Sequence, residues 1–263
     1  MSGAFRKFRV FLVVFYADMM QYRAELYLWA LSGIMPFILM GLWVQASSET
    51  EFALQPPEFA RYFLAVFIVR QLTLVWVVWE FEHHVVHGKL SPYLLQPVDP
   101  FWRFFVSHVS ERLARLPFIA LLTVLFFCLY PKALWMPSPG SLAAAAAAII
   151  MAFLLRFIMQ YAFAMIAFWI ERANSIEDIW FMLYLFLSGF LAPLDVFPAT
   201  VRNLALWTPF PYMVYLPANL LIGRPVEHLA RGFAVMLVWG LAFCLIYRTL
   251  WRRGLKRYSA MGA

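Results

Sequence analysis

Charge is what this sequence has little of. Lys, Arg, Asp and Glu make up 13% of the 263 residues, whereas a soluble domain carries about 25%. Hydrophobic residues make up 64%, and they gather in runs long enough to cross a hydrocarbon core of about 30 Å. The composition therefore excludes an ordinary soluble domain and predicts an all-α integral membrane protein.

Three further features are missing, and each excludes a class of site or segment. The two cysteines, Cys128 and Cys244, lie in apolar runs, so no disulfide or metal framework is expected. The chain has no G-x-x-x-x-G-K-[ST] phosphate loop, so we do not expect it to bind ATP itself. The first residues mix charged with apolar side chains and no small-residue cleavage site follows, which does not fit a cleavable signal peptide.

Six apolar segments are predicted to span the membrane, within a domain at residues 25–251. The six spans lie at residues 26–46, 60–79, 116–136, 142–170, 176–192 and 229–250. A basic cytoplasmic tail follows at 252–263.

Residues 1–24 precede the first span and form a segment of their own. Phe5, Phe8, Leu12 and Phe15 recur at helical spacing among basic residues, which predicts an amphipathic helix lying in the cytoplasmic membrane interface. A helical extension of the first span is the alternative.

Basic residues set the expected orientation. Residues 47–58 and 137–141 contain no Lys or Arg, whereas the N-terminal segment, the connection between spans two and three, and the tail are rich in them. Both termini are therefore predicted to be cytoplasmic. The expected membrane is a bacterial-type plasma (inner) membrane. Because the bases flank membrane segments, the net charge of +7 does not indicate a nucleic-acid partner.

Prolines divide the chain between spans five and six. Two apolar pieces, 199–207 and 212–222, are too short to cross the membrane. Irregular backbone at membrane depth survives only where protein or water satisfies its polar groups. Residues 193–225 are therefore predicted to form short re-entrant helices at the outer face, with a surface loop as the alternative.

A short punctuated segment at residues 88–97 follows the second span. Ser91 followed by Pro92 predicts a helix start, and Pro97 ends the helix after one turn. Its apolar residues Tyr93, Leu94 and Leu95 are typical of a docking site on the cytoplasmic face. A connector that lies on the membrane without a partner is the alternative.

Two motifs carry a resemblance to a known family. The segment after span two has the spacing G-x-L-x-x-Y-L-L-x-P-V, and its residues are Gly88, Leu90, Tyr93, Leu94, Leu95, Pro97 and Val98. The segment between spans five and six has a glycine, then Pro-Leu, Phe-Pro and a later Pro-Phe, and its residues are Gly189, Pro193, Leu194, Phe197, Pro198, Pro209 and Phe210. With its six spans, the whole chain resembles the type-2 permease subunits of ATP-binding-cassette (ABC) exporters.

The resemblance implies a multi-subunit complex. Residues 88–97 fall in the coupling-helix region that docks on the ATPase, so their matching residues are expected to couple the permease to that subunit. ATP and Mg²⁺ are expected on the partner, in two ATPase copies, and this chain is expected to hold no cofactor and to catalyse no reaction. A second permease chain, identical or related, would complete the translocation path. A lipid, a glycan, a hydrophobic drug or a peptide remains open as the cargo.

Two other functions compete with this interpretation. His83 or His84 with His87 can lie on one helical face beside Glu80, a spacing that can hold a metal in a membrane metalloenzyme. A polar interfacial end of span two explains the same histidines without a metal. A secondary transporter is the other alternative, but it needs ionisable groups at mid-membrane, and no carboxylate is predicted there.

Two arginines are predicted to lie deep in the membrane. Arg70 is near the middle of span two and Arg156 near the middle of span four. A charge at this depth costs at least about 2.5 kcal/mol, so it normally faces protein or a watery cavity. Oxygens of neighbouring helices, a carboxylate of a second permease, or an anionic group on the cargo can satisfy them. Both are candidate residues of the translocation path.

Overall fold

The structure is a computed structural model that describes residues 3–49, 52, 54–225 and 229–258. Residues 1–2 of the predicted N-terminal segment and 259–263 of the predicted tail lie outside the described residues. The described part has no strand, so the all-helical class is confirmed.

Twelve α-helices make up most of the described residues. They are α1 (Gly3–Gln21), α2 (Arg23–Ser32), α3 (Met35–Glu49), α4 (Pro56–Thr73), α5 (Val77–Val86), α6 (Ser91–Leu94), α7 (Pro100–Leu129), α8 (Pro139–Ala164), α9 (Asn174–Leu187), α10 (Ala199–Ala205), α11 (Tyr215–Leu221) and α12 (Leu229–Gly254). Short 3-10 turns lie at Pro131–Ala133, Met165–Phe168, Leu194–Val196 and Phe210–Met213.

Five helical stretches in the described residues are long and apolar enough to cross a membrane. They are Arg23–Glu49, Pro56–Val86, Pro100–Leu129, Pro139–Phe168 and Leu229–Gly254. They overlap with five of the six predicted spans, although their bounds differ, as for Pro100–Leu129 against the predicted 116–136.

The remaining predicted span, 176–192, corresponds to α9. This helix has 14 residues, or about 21 Å at 1.5 Å per residue, against a hydrocarbon core of about 30 Å. The chain then turns at Ser188. The count of six spans is therefore not confirmed.

Local capping explains where two of the long helices begin. Asp99 accepts a 2.8 Å hydrogen bond from the backbone N–H of Phe101, with Pro100 as the first helical residue of α7. Ser138 accepts a 3.1 Å bond from Ser141 N–H at the start of α8. A capping side chain followed by proline satisfies or removes the amides that a helix start leaves unpaired.

The helices form a bundle around α8, which packs against α4, α5, α11 and α12. One end of the bundle carries residues 88–97, together with the start of α7 and the C-terminal end of α12. The other end carries the turn at Pro131–Ala133 and the segment 193–225. We refer to these as the 88–97 end and the 193–225 end.

The N-terminal helix α1 is distinct from the first candidate span. It ends at Gln21, a single residue separates it from α2, and it packs along α7. Ser110 of α7 donates a 3.3 Å hydrogen bond to the carbonyl oxygen of Leu12. The other side of α1 exposes apolar residues such as Val10 and Val13.

Candidate functional site

A tight turn precedes the one-turn helix α6 at the 88–97 end. Gly88 has a φ of 67°, in the left-handed region that glycine adopts at little cost. Leu90 is fully buried, and its N–H donates a 3.0 Å hydrogen bond to the carbonyl oxygen of His84. Gly88 therefore reverses the chain, and Leu90 fixes the start of α6 against the bundle.

Ser91 does not cap α6 as predicted. The helix begins one residue earlier than expected, so Leu90 occupies the capping position. The Ser91 hydroxyl oxygen instead lies 3.2 Å from that of Tyr258, beyond α12. This contact joins α6 to the C-terminal part of the described chain.

The three apolar residues predicted to be presented by the segment have different environments. The Tyr93 hydroxyl oxygen lies 3.2 Å from Nε2 of His84, and the Arg103 guanidinium stacks 4.2 Å from the ring centroid of Tyr93. Leu94 packs partly against the bundle. Leu95 is 89% exposed. Of the three, Leu95 is the one that is mostly free to contact a partner.

Pro97 ends this segment on the surface. Its carbonyl oxygen accepts a 3.3 Å hydrogen bond from Nζ of Lys7. The segment is thus tied to α1 as well as to α5, α7 and the end of α12. These contacts hold α6 as a small projection from the bundle, with Leu95 exposed at its C-terminal end.

Arg70 and Arg156 are held mainly by aromatic rings. The Arg70 guanidinium lies 5.2 Å from the ring centroid of Phe190, and the side chain is partly buried. Arg156 is 2% exposed and lies 5.0 Å from the ring of Trp180 and 4.6 Å from that of Tyr184. Across the described ranges, neither arginine forms an ion pair with a carboxylate.

A buried polar pair lies next to Arg156. One turn further along α8, Gln160 donates a 2.6 Å hydrogen bond to the carboxylate of Glu177 in α9. Both side chains are buried, so the pair fixes the first turns of α9 against α8. Arg156 is sealed behind α9 in this state, whereas Arg70 is more accessible.

A charged cluster in α7 was missed by the sequence analysis. Glu111 forms ion pairs with Arg112, at 3.1 Å, and with Arg115. Arg115 also donates a 2.8 Å hydrogen bond to the side chain of Gln71, whose amide donates a 2.8 Å bond to the carbonyl oxygen of Ala30. All three charged side chains are buried. They link α2, α4 and α7.

Both arginines belong to the basic connection between the predicted spans two and three, ahead of the apolar run that begins at residue 116. The helix itself begins at Pro100, so both arginines lie inside α7. The spacing of Glu111 and Arg115, four residues apart, is the signal that was available.

The second motif shapes the turns at the 193–225 end. Gly189 has a φ of 86°, and its carbonyl oxygen accepts a 2.7 Å hydrogen bond from the Tyr62 hydroxyl. Pro193, Pro198 and Pro209 each immediately precede a helical turn. The prolines therefore divide this segment into separate short helices.

Two phenylalanines of the motif differ in burial. Phe210 is 7% exposed and lies 6.1 Å from Trp180 between ring centroids, whereas Phe197 is half-buried. Nearby, Asp195 accepts a 2.9 Å hydrogen bond from the Tyr215 hydroxyl and pairs with Arg224 at 3.0 Å. The Asp195 carboxylate thus accepts from Tyr215 at the start of α11 and pairs with Arg224 beyond its end, which ties α11 to the turn at Leu194–Val196.

The histidines divide into two environments. The His83 and His87 rings lie 4.1 Å apart, and His83 Nε2 lies 2.9 Å from Lys89 Nζ. His84 contacts Tyr93 and the carbonyl oxygen of Glu80 instead. No group of three His, Cys, Asp or Glu side chains suited to a metal occurs in the described part of the chain. The geometry gives the metalloenzyme interpretation no support.

Comparison with known protein families gives one match. A family model described as "ABC-2 family transporter protein" matches residues 56–262, which is more than half of the chain. No curated protein matches the chain.

Proposed function

The chain belongs to the ABC-2 family of transporter proteins, and from this premise we propose that it is the permease subunit of an ATP-driven exporter. In this proposal the 88–97 end faces the cytoplasm of a bacterial-type cell, with both termini on that side. The helix α9, with the turns after it, takes the place of the predicted fifth span, 176–192. The short helices α10 and α11 re-enter the membrane from the outer face, and α1 lies in the inner interface.

Residues 88–97 dock on a separate ATPase subunit, which binds ATP and Mg²⁺. The observation that carries this step is the exposed Leu95 on a supported projection. An apolar side chain that is 89% exposed in water loses that unfavourable contact when it enters a groove of a partner. The contacts of Leu90, Ser91 and Tyr93 with the bundle then transmit movement of the partner to α5, α7 and α12.

A second permease chain, identical or related, completes the path, and each permease meets one ATPase copy. Arg70 is the better placed of the two candidate path residues because it is only partly buried. Arg156 reaches the path only if α9 moves away from α8. An arginine suits an anionic cargo group because its planar fork stays charged and binds two oxygens at once.

Co-purification tests the proposal. The full chain is tagged in its host and isolated in mild detergent, and the partners are identified by mass spectrometry. We expect a subunit with a G-x-x-x-x-G-K-[ST] loop and ATPase activity in the complex. A stable complex without an ATPase subunit would refute the proposal.

Arg70→Gln and Arg156→Gln then separate path residues from structural ones. In the purified complex, loss of transport with normal assembly indicates a path residue. Loss of folding alone indicates a structural residue.

A further inference from the structure

Three arginines converge on one cavity at the 193–225 end. The cavity has a volume of about 500 Å³ and is bounded by α10, α11 and the start of α12. Arg202, Arg224 and Arg231 all line it. In the proposed orientation this end faces outward, where short loops normally carry few basic residues. The position of three arginines at this end therefore needs an explanation other than membrane orientation.

Only part of this positive charge is balanced within the described residues. Asp195 lines the cavity and pairs with Arg224 at 3.0 Å. Arg202 and Arg231 have no carboxylate within ion-pair distance in the same described ranges. The Arg231 guanidinium lies 5.4 Å from the ring centroid of Trp207, which orients it without neutralising it.

A buried amide adds an unsatisfied acceptor to the cavity wall. Asn219 is 3% exposed and lines the cavity. Its amide nitrogen donates a 3.0 Å hydrogen bond to the carbonyl oxygen of Tyr215, whereas its side-chain oxygen has no partner among the described residues. A buried polar atom without a partner costs about 1–3 kcal/mol. A small turn of the side chain brings this oxygen to the cavity, and a ligand hydroxyl that donates to it there removes that cost.

Together these groups define the chemistry of an occupant. Two arginines supply charge-assisted donors for anionic oxygens, and Asn219 supplies an acceptor for a hydroxyl. Apolar side chains form other parts of the same wall, including Leu194, Leu206 and Leu216. We propose that this cavity binds the anionic, hydroxyl-bearing head group of an amphiphile, with a phosphate between Arg202 and Arg231. The outward placement rests on the proposed function, but the binding does not.

The test uses native mass spectrometry of the purified full chain in detergent, without the ATPase. Phosphatidylglycerol is the probe, and phosphatidylcholine with the same acyl chains is the comparison lipid. We expect preferential retention of phosphatidylglycerol. The double variant Arg202→Gln, Arg231→Gln should lose its affinity for this lipid by at least about tenfold. Lys132→Gln, which removes an exposed charge at the same end outside the cavity, should bind as the natural chain does.

A second variant keeps the test decisive if the double variant misfolds. Asn203 is exposed and lines the cavity, so Asn203→Asp adds a negative charge without removing a buried contact. It should also weaken the binding of phosphatidylglycerol. Equal retention of both lipids, or undiminished binding in both the double variant and Asn203→Asp, would overturn the proposal.

Competition with glycerol 1-phosphate shows whether the site needs a lipid with an acyl chain or also accepts a water-soluble molecule with the same head group. Displacement of the lipid shows that a water-soluble anionic molecule also fits. No displacement shows that the occupant needs an acyl chain, as a bilayer lipid or a lipid-linked cargo has. Both results agree with the proposed chemistry, and neither depends on finding an ATPase partner.

Discussion

The Tyr62 hydroxyl in α4 donates a 2.7 Å hydrogen bond to the carbonyl oxygen of Gly189, just beyond α9. A Cβ atom at position 189 would lie 2.6 Å from that hydroxyl oxygen and 2.9 Å from Cβ of Tyr215. With its φ of 86°, this position therefore excludes a side chain for steric and for conformational reasons. The contact fixes the turn after α9 against α4.

Gly189→Ala should destabilise the protein. The left-handed backbone costs about 1–2 kcal/mol for an alanine, and overpacking adds about 1–3 kcal/mol. We expect a clear fall in the midpoint of thermal unfolding, measured in detergent by intrinsic fluorescence. Gly140→Ala is the matched control, because a Cβ there has no neighbour within 4 Å. Equal midpoints for the two variants would show that the turn is not constrained in this way.

Tyr93→Phe should have a small and specific effect. It removes the contact between the Tyr93 hydroxyl and His84 but keeps a ring beneath Arg103. A hydrogen bond of this kind contributes about 0.5–1.5 kcal/mol, so we expect a modest fall in the unfolding midpoint. Tyr93→Ala should lower it further, because the stacking with Arg103 is also lost. If both variants unfold at the same temperature, the ring contributes nothing to holding α6.

The apolar runs predicted the membrane class and the positions of five candidate spans, because length and hydrophobicity alone decide whether a helix can cross a bilayer. Asp99 followed by Pro100 is a local signal of a helix start, and α7 begins there. The third span was predicted to begin only at residue 116 because the preceding turns of α7 carry charges that interrupt the apolar run. The pairing of Glu111 with Arg115 was readable from their spacing, whereas Gln71, the other partner of Arg115, is 44 residues away and no local pattern points to it.

The contacts of α6 with the rest of the bundle could not be predicted from the sequence either. Ser91 has the residue type of a cap, but its contact with Tyr258 depends on where α12 ends. The sequence identified the apolar residues of the segment but not which of them point outward. The cavity beside Arg202 and Arg231 is lined by α10, α11, α12 and the turns between them, so it forms only when these elements pack together.

Glu111→Gln should be among the most damaging single changes in α7. It removes the partner carboxylate of two buried arginines, Arg112 and Arg115. Breaking a buried charge pair costs about 3–5 kcal/mol because an uncompensated charge remains. We expect loss of folded protein in size-exclusion chromatography. Glu25→Gln, on an exposed position of α2, is the control and should elute normally. A fully stable Glu111→Gln protein would contradict the role given to this cluster.

Arg156→Gln should lower the stability of the contact between α8 and α9. Glutamine has no positive charge to place over the rings of Trp180 and Tyr184, and each desolvated cation–π contact contributes about 2 kcal/mol. Arg156→Lys keeps the charge and should lose less. Thermal unfolding of the two variants in the same detergent measures the difference. A glutamine variant as stable as the lysine variant would show that the rings do not hold the charge.

Photo-cross-linking from position 95 tests the central claim most directly. A photoreactive amino acid replaces Leu95 in the full chain, expressed in its host, and the same group replaces Leu134 as the control. Leu134 is 63% exposed and lies at the 193–225 end. We expect irradiation to join position 95, but not position 134, to a subunit that carries an ATP-binding phosphate loop. The absence of that product from position 95, or equal yields from both positions, would contradict docking of an ATPase on residues 88–97.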